Sequence, residues 1–282
     1  MANPNLFIIG EQKAGTSALY EHLKNSPNIF INDKKKEFHY LISNAIKLNK
    51  AAFHEKGIVS NKDDYLNYFK DSKDEKYILD SSTSYLYYID DFYENLNSLT
   101  GTSCLNKIIV IRREPVSRTI SAYKHLFKYR GSIELRNYID DFKKNKNNNK
   151  VWDEDIIGYN YKDEKITKAK DFFGENLLIL DYQKLCDDPK TVINEVCDFL
   201  DIGKIEINVR IRENVSGKID NPLLRTLFFS RHPVKEFIKR NIPSVFLRYS
   251  KKYKSALYLR FRQEVNVEDI DRKELEKIYY EK

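Results

Sequence analysis

The residues most able to do chemistry lie first in a short loop near the start of the chain. Gly10 and Gly15 have the spacing of a phosphate-binding loop, in which successive backbone N–H groups surround phosphate oxygens at the positive end of a helix. Thr16 and Ser17 follow at once, where a nucleotide-hydrolysing loop would place a lysine after the second glycine. The lysine of this loop is Lys13 instead. The segment therefore predicts a site for a phosphate-like group.

A second basic segment follows the apolar run Lys107–Arg112. Arg113 comes directly after this run, and Ser121 lies about two helical turns further along. An arginine fork and a hydroxyl at this separation can hold a second, isolated phosphate. Arg112 lies on the other face of a strand, so we assign the contact to Arg113. No aspartate follows the run to hold Mg²⁺, and the histidines lack ligand spacing, so we expect no metal.

The elements that would position these residues alternate along the chain. Short apolar runs predict five strands: Leu6–Ile9, Ile29–Ile31, Tyr77–Leu79, Lys107–Arg112 and Leu177–Leu180. Helical patterns separate most of them, most clearly Thr16–Asn25, Pro115–Tyr129, Lys162–Phe173 and Pro189–Leu200. Apolar strands that alternate with helices are typical of a parallel sheet covered on both faces. The predicted fold class is therefore α/β, three-layer, with a mainly parallel central sheet and a helical C-terminal part from about Pro222.

Composition limits the class of protein further. A chain of 282 residues can bury a sizeable core, and its 9 Gly and 7 Pro are too few for a collagen-like or low-complexity chain. No apolar stretch approaches the ~20 residues that span a bilayer, and no signal peptide is visible. The three cysteines, Cys104, Cys186 and Cys197, favour a reducing compartment. We therefore expect a soluble, cytoplasmic protein.

The positive charge is concentrated in one segment. The net charge of the whole chain is +7, yet residues 225–262 contain eleven Lys or Arg and a single acid, Glu236. Such a segment attracts polyanions, including an anionic membrane surface. A solvated helix face explains the same composition equally well.

The two phosphate motifs together resemble those of the sulfotransferases that use 3′-phosphoadenosine 5′-phosphosulfate (PAPS). In that family G-x-x-K-x-G-T-[ST] follows the first strand, and R-[DE]-P-x-x-R-x-x-S follows a later one. The resemblance implies that the 5′-phosphosulfate is cradled by Lys13, Ala14, Gly15, Thr16 and Ser17. It likewise implies that Arg113 and Ser121 grip the 3′-phosphate of PAPS or of its product, adenosine 3′,5′-bisphosphate.

Later segments follow in the order of the family. Residues Lys36–Tyr40 resemble the K-E-x-H-[FY] segment of the heparan-type carbohydrate sulfotransferases, which implies that Glu37 is the catalytic base and the acceptor a glycan or glycolipid. His39, two residues on and on the same face of an extended segment, would orient Glu37 or bind the acceptor. Lys218 lies in a sequence like the late loop that folds over the nucleotide. Ser81 departs from the pattern, since several heparan enzymes have a lysine there.

The resulting hypothesis is a single sulfotransferase domain over residues 1–282, with a core at about 5–220 and a basic helical region at about 221–282. The sulfuryl group of PAPS would move in line to a hydroxyl or amine, with Lys13 stabilising the leaving oxygen and Glu37 removing the proton. Two alternatives stay open. They are a P-loop kinase of a small metabolite, and a non-enzymatic protein that binds polyanions through residues 225–262. For the sulfotransferase itself we expect no nucleic-acid partner.

Overall fold

The described part of the chain is built around one parallel β-sheet. The computed structural model describes residues 3–48, 57–101, 106–130, 134–144, 155–160, 163–207 and 267–281. Its strands are β1 Leu6–Gly10, β2 Ile29–Ile31, β3 Tyr77–Asp80, β4 Lys107–Arg112 and β5 Leu177–Asp181. They form a single sheet in the order β2-β3-β1-β4-β5, and each neighbouring pair is parallel. The five predicted strands are confirmed to within a residue.

Helices connect and cover these strands. Within the described ranges they are α1 Thr16–Leu23, α2 Ser43–Leu48, α3 Lys62–Asn67, α4 Ile89–Thr100, α5 Pro115–Arg130, α6 Leu135–Lys144, α7 Glu164–Phe173, α8 Tyr182–Asp187, α9 Pro189–Leu200 and α10 Asp269–Tyr280. The predicted bounds of α9 are confirmed at both ends, because Asp188 caps its first turn and Pro189 begins it. The first helix is shorter than predicted. Asn25 and Ser26 donate to carbonyls three residues back, so the chain tightens into a turn after Leu23.

The sheet is buried between two layers of helices. β1 lies at its centre, and its side chains alternate between two separate cores. Leu6 and Ile8 pack with α1, α8 and α9, whereas Phe7 and Ile9 pack with α4 and α7. All four side chains are fully buried. The prediction of a three-layer α/β fold is therefore confirmed.

A third cluster joins the C-terminal helix to the rest of the molecule. α10 packs on α5 and α6, with Leu275 fully buried among their apolar residues. The Tyr279 hydroxyl lies 2.7 Å from Thr119 Oγ1 on α5. Tyr280 donates a hydrogen bond to the carboxylate of Glu114, the residue that precedes α5. Two tyrosines thus bind α10 to the start of α5.

Two sequence-based predictions fall on residues outside the described ranges. These are Lys218, proposed to cover the nucleotide, and the basic segment 225–262. Most of the predicted helical C-terminal part lies there too, although residues Asp269–Tyr280 do form a helix. None of the helices in the described ranges is both long enough and apolar enough to cross a bilayer.

Candidate active site

The carboxyl ends of four neighbouring strands bring the predicted site residues to one edge of the sheet. β1 leads into the glycine loop (residues 10–15), β2 into the Glu37 loop (residues 32–39), β3 into the serine segment (residues 80–84) and β4 into Arg113. Because these strands are parallel, their carboxyl ends meet at the same edge. This edge is the usual position of a ligand in open α/β sheets.

The glycine loop has a backbone shape that suits an anion. Lys13 and Gly15 both have left-handed backbone, with φ of 70° and 85°, and a non-glycine residue held in this region often marks a functional constraint. A Cβ at Gly15 would lie 3.2 Å from both Tyr182 and Leu185, and the positive φ disfavours a side chain as well. α1 then begins at Thr16 without a side-chain cap and without an acid in its first turn. Its positive end therefore favours a negative ligand.

Lys36 also reaches this loop, although it was not predicted as a site residue. Its Nζ donates to Ser17 Oγ at 2.9 Å and lies 5.5 Å from the centre of the Tyr20 ring. A second lysine thus contacts the first turn of α1 from the Glu37 loop. Its signal in the sequence is its place as the lysine of the K-E-x-H-[FY] segment, directly before Glu37. Ala14, predicted to bind the cofactor, packs in the apolar core, so it offers only its backbone.

Arg113 connects the two predicted phosphate motifs. Its Nη1 donates to the Lys13 carbonyl oxygen at 2.9 Å, and its guanidinium lies 4.3 Å from the centre of the Tyr182 ring. Its Nε is buried without a hydrogen-bond partner among the described residues, and an anion would supply one. Arg112 instead forms an ion pair with Asp163. The Nε of Arg112 is likewise buried without a hydrogen-bond partner in the described ranges. The choice of Arg113 over Arg112 stays a prediction.

One face of α5 turns towards Lys13. His125 lies on α5, and its Nδ1 is 3.4 Å from Lys13 Nζ. Ser121, the other residue predicted to hold the 3′-phosphate, lies four residues earlier and is half-buried. Residues four apart share one side of a helix. Ser121 is thus on the side of α5 that faces the glycine loop.

Glu37 lies among three cations, Lys13, Lys35 and Lys36, and the hydroxyl of Thr83. Its side chain is 32% exposed, so it keeps an open face while protein atoms surround the rest. Burial raises the pKa of Glu37, while the charges of Lys36 and Lys13 and a hydrogen bond with Thr83 oppose that rise. Glu37 is therefore a stronger base than an ordinary glutamate.

His39 lies next to Glu37, but the backbone conformation that brings it there differs from the predicted one. The segment is not extended as expected, since it turns and His39 has left-handed backbone with φ of 56°. His39 Nε2 lies 3.6 Å from Glu37 Oε2, and its Nδ1 lies 2.6 Å from Ser84 Oγ. Burial, together with the charge of Lys35, lowers the pKa of His39 to about 3. The ring is thus neutral at physiological pH.

Three further residues, none predicted, tie the loops together. Glu11 is buried and accepts a hydrogen bond from the Arg113 backbone N at 2.9 Å. The Tyr159 hydroxyl accepts from Gln12 N at 3.2 Å and donates to the Thr83 carbonyl oxygen at 3.0 Å. Tyr159 thereby joins the glycine loop to the serine segment. These contacts span about 75 to 150 residues, so no local pattern announces them.

Comparison with known proteins decides the family. The family model described as Sulfotransferase domain matches residues 3–218, most of the chain. This chain belongs to the sulfotransferase family. No curated protein sequence matches this sulfotransferase.

Solved structures of other sulfotransferases resemble the chain. The sulfotransferase from Alicyclobacillus acidocaldarius is 22% identical over 76% of this chain and 87% of its own, with a TM-score of 0.64, which indicates a shared fold. The sulfotransferase domain of the Synechococcus PCC 7002 olefin synthase is 18% identical over 71% and 74%, with a TM-score of 0.41. The sulfotransferase domain from the curacin biosynthetic pathway is 15% identical over 99% of both chains, with a TM-score of 0.46.

The protein is thus a PAPS-dependent sulfotransferase, and its site fits that donor chemically. The uncapped start of α1 and the buried Nε of Arg113 are both suited to phosphate groups. Across the described ranges, His, Cys, Asp and Glu side chains form no group of three that could hold a metal ion. Metal-free transfer stays a prediction. Membership in this family favours sulfuryl transfer over the kinase alternative.

Proposed function

We propose that this sulfotransferase moves the sulfuryl group of PAPS to a hydroxyl or amine of a carbohydrate, with Glu37 as the general base. The observation that carries the proposal is the position of Glu37, within electrostatic reach of Lys13 and with one face open. A base for the acceptor and a cation for the leaving group therefore lie at one site. In-line transfer needs both of them, on either side of the moving group.

The donor would be held at two points that the protein itself connects. The glycine loop and Ser17 would bind the 5′-phosphosulfate, and Arg113 with Ser121 would bind the 3′-phosphate. The hydrogen bond from Arg113 to the Lys13 carbonyl supports this arrangement, because it fixes one point relative to the other. Lys218 is proposed from the resemblance alone to cover the nucleotide.

Negative charge grows on the oxygen between sulfur and the 5′-phosphate as the bond breaks. Lys13 is the residue proposed to stabilise this oxygen, since it projects from the loop that would hold the phosphosulfate. The contact of Lys36 with Ser17 puts another ammonium group at the first turn of α1, directly after this loop. His125 lies beside Lys13 and supports its placement.

The acceptor proton would pass to Glu37. A positioned general base typically contributes ~10²–10⁴-fold to the rate, and the raised pKa of Glu37 suits the role. Because burial and the charge of Lys35 lower the pKa of His39 to about 3, its ring is a weaker base than Glu37 and would not compete for the proton. We assign His39 the task of orienting Glu37. The K-E-x-H-[FY] resemblance supports a glycan or glycolipid as acceptor.

The proposal also covers the domain organisation and the cellular location of the protein. The packing of α10 on α5 and α6 supports one domain that includes the C-terminal part. Cys186 and Cys197 are free thiols, which supports a reducing, cytoplasmic setting. Contact of residues 225–262 with an anionic membrane surface is a further proposed partner.

A transfer assay with radiolabelled PAPS tests the function directly. The purified protein is incubated with pooled oligosaccharides and glycolipids, beside the Glu37→Gln variant and with EDTA present. Label should pass from PAPS to the pool with wild-type protein and be strongly reduced with the variant. Equal transfer by both proteins would remove Glu37 as the base. Transfer from labelled ATP in Mg²⁺, with none from PAPS, would overturn the proposal.

A further inference from the structure

A buried carboxylate lies directly behind the Glu37 loop. Asp80, at the end of β3, is fully buried and accepts three hydrogen bonds. Ser82 donates to its Oδ1 at 2.7 Å, and the hydroxyls of Tyr65 and Tyr85 donate to its Oδ2, each at 2.8 Å. The three hydroxyls that contact this carboxylate all donate to it, whereas the nearby charge of Glu37 opposes its ionisation. Such a site favours the ionised form, against the cost of its burial.

Ser82 transmits this orientation to the Glu37 loop. Its Oγ accepts from the backbone N of Phe38 at 2.9 Å and from that of His39 at 3.2 Å. A serine hydroxyl has one proton and two lone pairs. Because the proton is given to Asp80, both lone pairs are left for these two amides. The carboxylate thus decides which way the hydroxyl faces.

The rest of the serine segment holds the same loop. Thr83 hydrogen-bonds the Glu37 side chain, and Ser84 lies 2.6 Å from the His39 ring. The Phe38 ring packs against the ring of Tyr65, with centroids 5.7 Å apart. Tyr65 in turn donates to Asp80. The ring contact of Phe38 and the hydrogen bonds of the loop backbone therefore both lead to the Asp80 carboxylate.

We infer that Asp80 is a positioning residue for sulfuryl transfer, which fixes the backbone of residues 38–39 through the Ser82 hydroxyl and thereby places Glu37. This inference rests on the proposed role of Glu37 as the base. A core position needs no carboxylate for packing alone, since an apolar residue of similar volume often stabilises a buried site as well or better. The requirement is for an acceptor that orients a hydroxyl.

Asparagine at position 80 breaks this arrangement while nearly keeping its shape. If its NH₂ group faces Ser82, the serine proton loses its acceptor and competes with the two loop amides. If the NH₂ group faces Tyr65 and Tyr85, it replaces the oxygen that accepts from both tyrosines, so their hydroxyl protons lose their acceptor. Either orientation leaves buried polar groups unsatisfied.

The test compares Asp80→Asn and Ser82→Ala with Ser81→Ala as the matched control. Ser81 is the adjacent residue, equally buried, and its Oγ has no hydrogen-bond partner among the described residues. Four quantities are measured on the full chain. They are the hydrogen exchange of the Phe38 and His39 amides, the affinity for adenosine 3′,5′-bisphosphate, and kcat and KM for PAPS in the radiolabel assay.

Ser82→Ala should exchange both loop amides at least ~10-fold faster than wild-type protein, because each amide loses its acceptor. Its kcat should fall at least ~10-fold while KM for PAPS and the bisphosphate affinity change by less than about twofold. Asp80→Asn should change the exchange and kcat in the same direction, because a carboxylate no longer fixes the Ser82 hydroxyl. Ser81→Ala should match wild-type protein throughout.

Other results overturn the inference or separate it from the proposed function. Wild-type exchange and kcat in Ser82→Ala would refute it, even if Asp80→Asn fails to fold, because Ser82 is the link. Freed amides with an unchanged kcat would refute the catalytic consequence of the anchoring. If Glu37→Gln also keeps its kcat, the proposed role of Glu37 as the base is refuted. If Glu37→Gln loses activity, the base is right and Asp80 is only structural.

Discussion

Replacing Arg113 by alanine tests the proposed donor site most sharply, because one side chain serves both phosphate motifs. The substitution removes the hydrogen bond to the Lys13 carbonyl and the buried Nε that has no protein partner in the described ranges. A hydrogen bond to a charged group contributes about 1.5–3 kcal/mol. Since 1.36 kcal/mol corresponds to a factor of ten, binding of adenosine 3′,5′-bisphosphate should weaken ~10- to ~150-fold.

Calorimetry with two nucleotides separates the two effects of the substitution. ADP lacks the 3′-phosphate, so it reports only the disturbance of the glycine loop through Lys13. We expect Arg113→Ala to weaken ADP by less than about threefold, and Arg113→Lys to give an intermediate loss for the bisphosphate, since it keeps the charge without the fork. An equal loss for both nucleotides would show that Arg113 only supports the loop. The assignment of the 3′-phosphate site would then be refuted.

The other predictions concern the base, the loop lysine, metal ions and the buried carboxylate. Glu37→Gln should lower kcat with a hydroxyl acceptor ~10²-fold with unchanged bisphosphate affinity by calorimetry, and an unaltered kcat would contradict it. Because burial raises the pKa of Glu37, the wild-type rate should fall in acid at a higher pH than an ordinary glutamate would give. Lys13→Ala should lose turnover and donor affinity together, since Lys13 meets the donor before and during transfer; normal values of both would remove it from the site. Radiolabel transfer should persist in EDTA, and specific recovery of lost activity with Mg²⁺ would argue against the proposed mechanism. Burial raises the pKa of Asp80 from 3.8 to about 6, so its contribution to stability is present below pH 4 and is lost as the pH rises through 6. The free energy of unfolding of wild-type protein, relative to Asp80→Asn, should therefore fall by about 3 kcal/mol between these limits in urea titrations; a constant difference would refute the shift.

The fold could be predicted because its signals are local. Each strand is a short apolar run that can be recognised without reference to distant residues, and the three inner strands are buried on both faces. The glycine loop was also predictable, since Gly10, Gly15 and Thr16 are close in the chain. The end of α1 was predicted two residues too late: Asn25, Ser26 and Pro27 are typical of a helix end, but the position where the turn tightens is set by backbone hydrogen bonds.

The parts of the site that escaped prediction depend on contacts across the sheet edge. Glu11 and Tyr159 act on residues from other loops, and their types are ordinary where they occur. The turn at His39 is a different case. A left-handed histidine is uncommon, and here the serine segment holds it, so an extended segment was the natural expectation. Proximity of His39 to Glu37 was thus predicted correctly from a wrong geometry.

The hold of α10 on the start of α5 has a consequence for the timing of folding. Glu114 and Thr119 leave the ribosome some 160 residues before Tyr280 and Tyr279. All five strands of the sheet precede that moment, so a nascent chain can form its central layers while α5 still lacks these two tyrosines. A recombinant fragment that ends at residue 218, where the family match ends, would never gain the contacts of these two tyrosines with α5. It would expose the apolar surface that Leu275 covers, and expression boundaries for this enzyme should extend beyond residue 280.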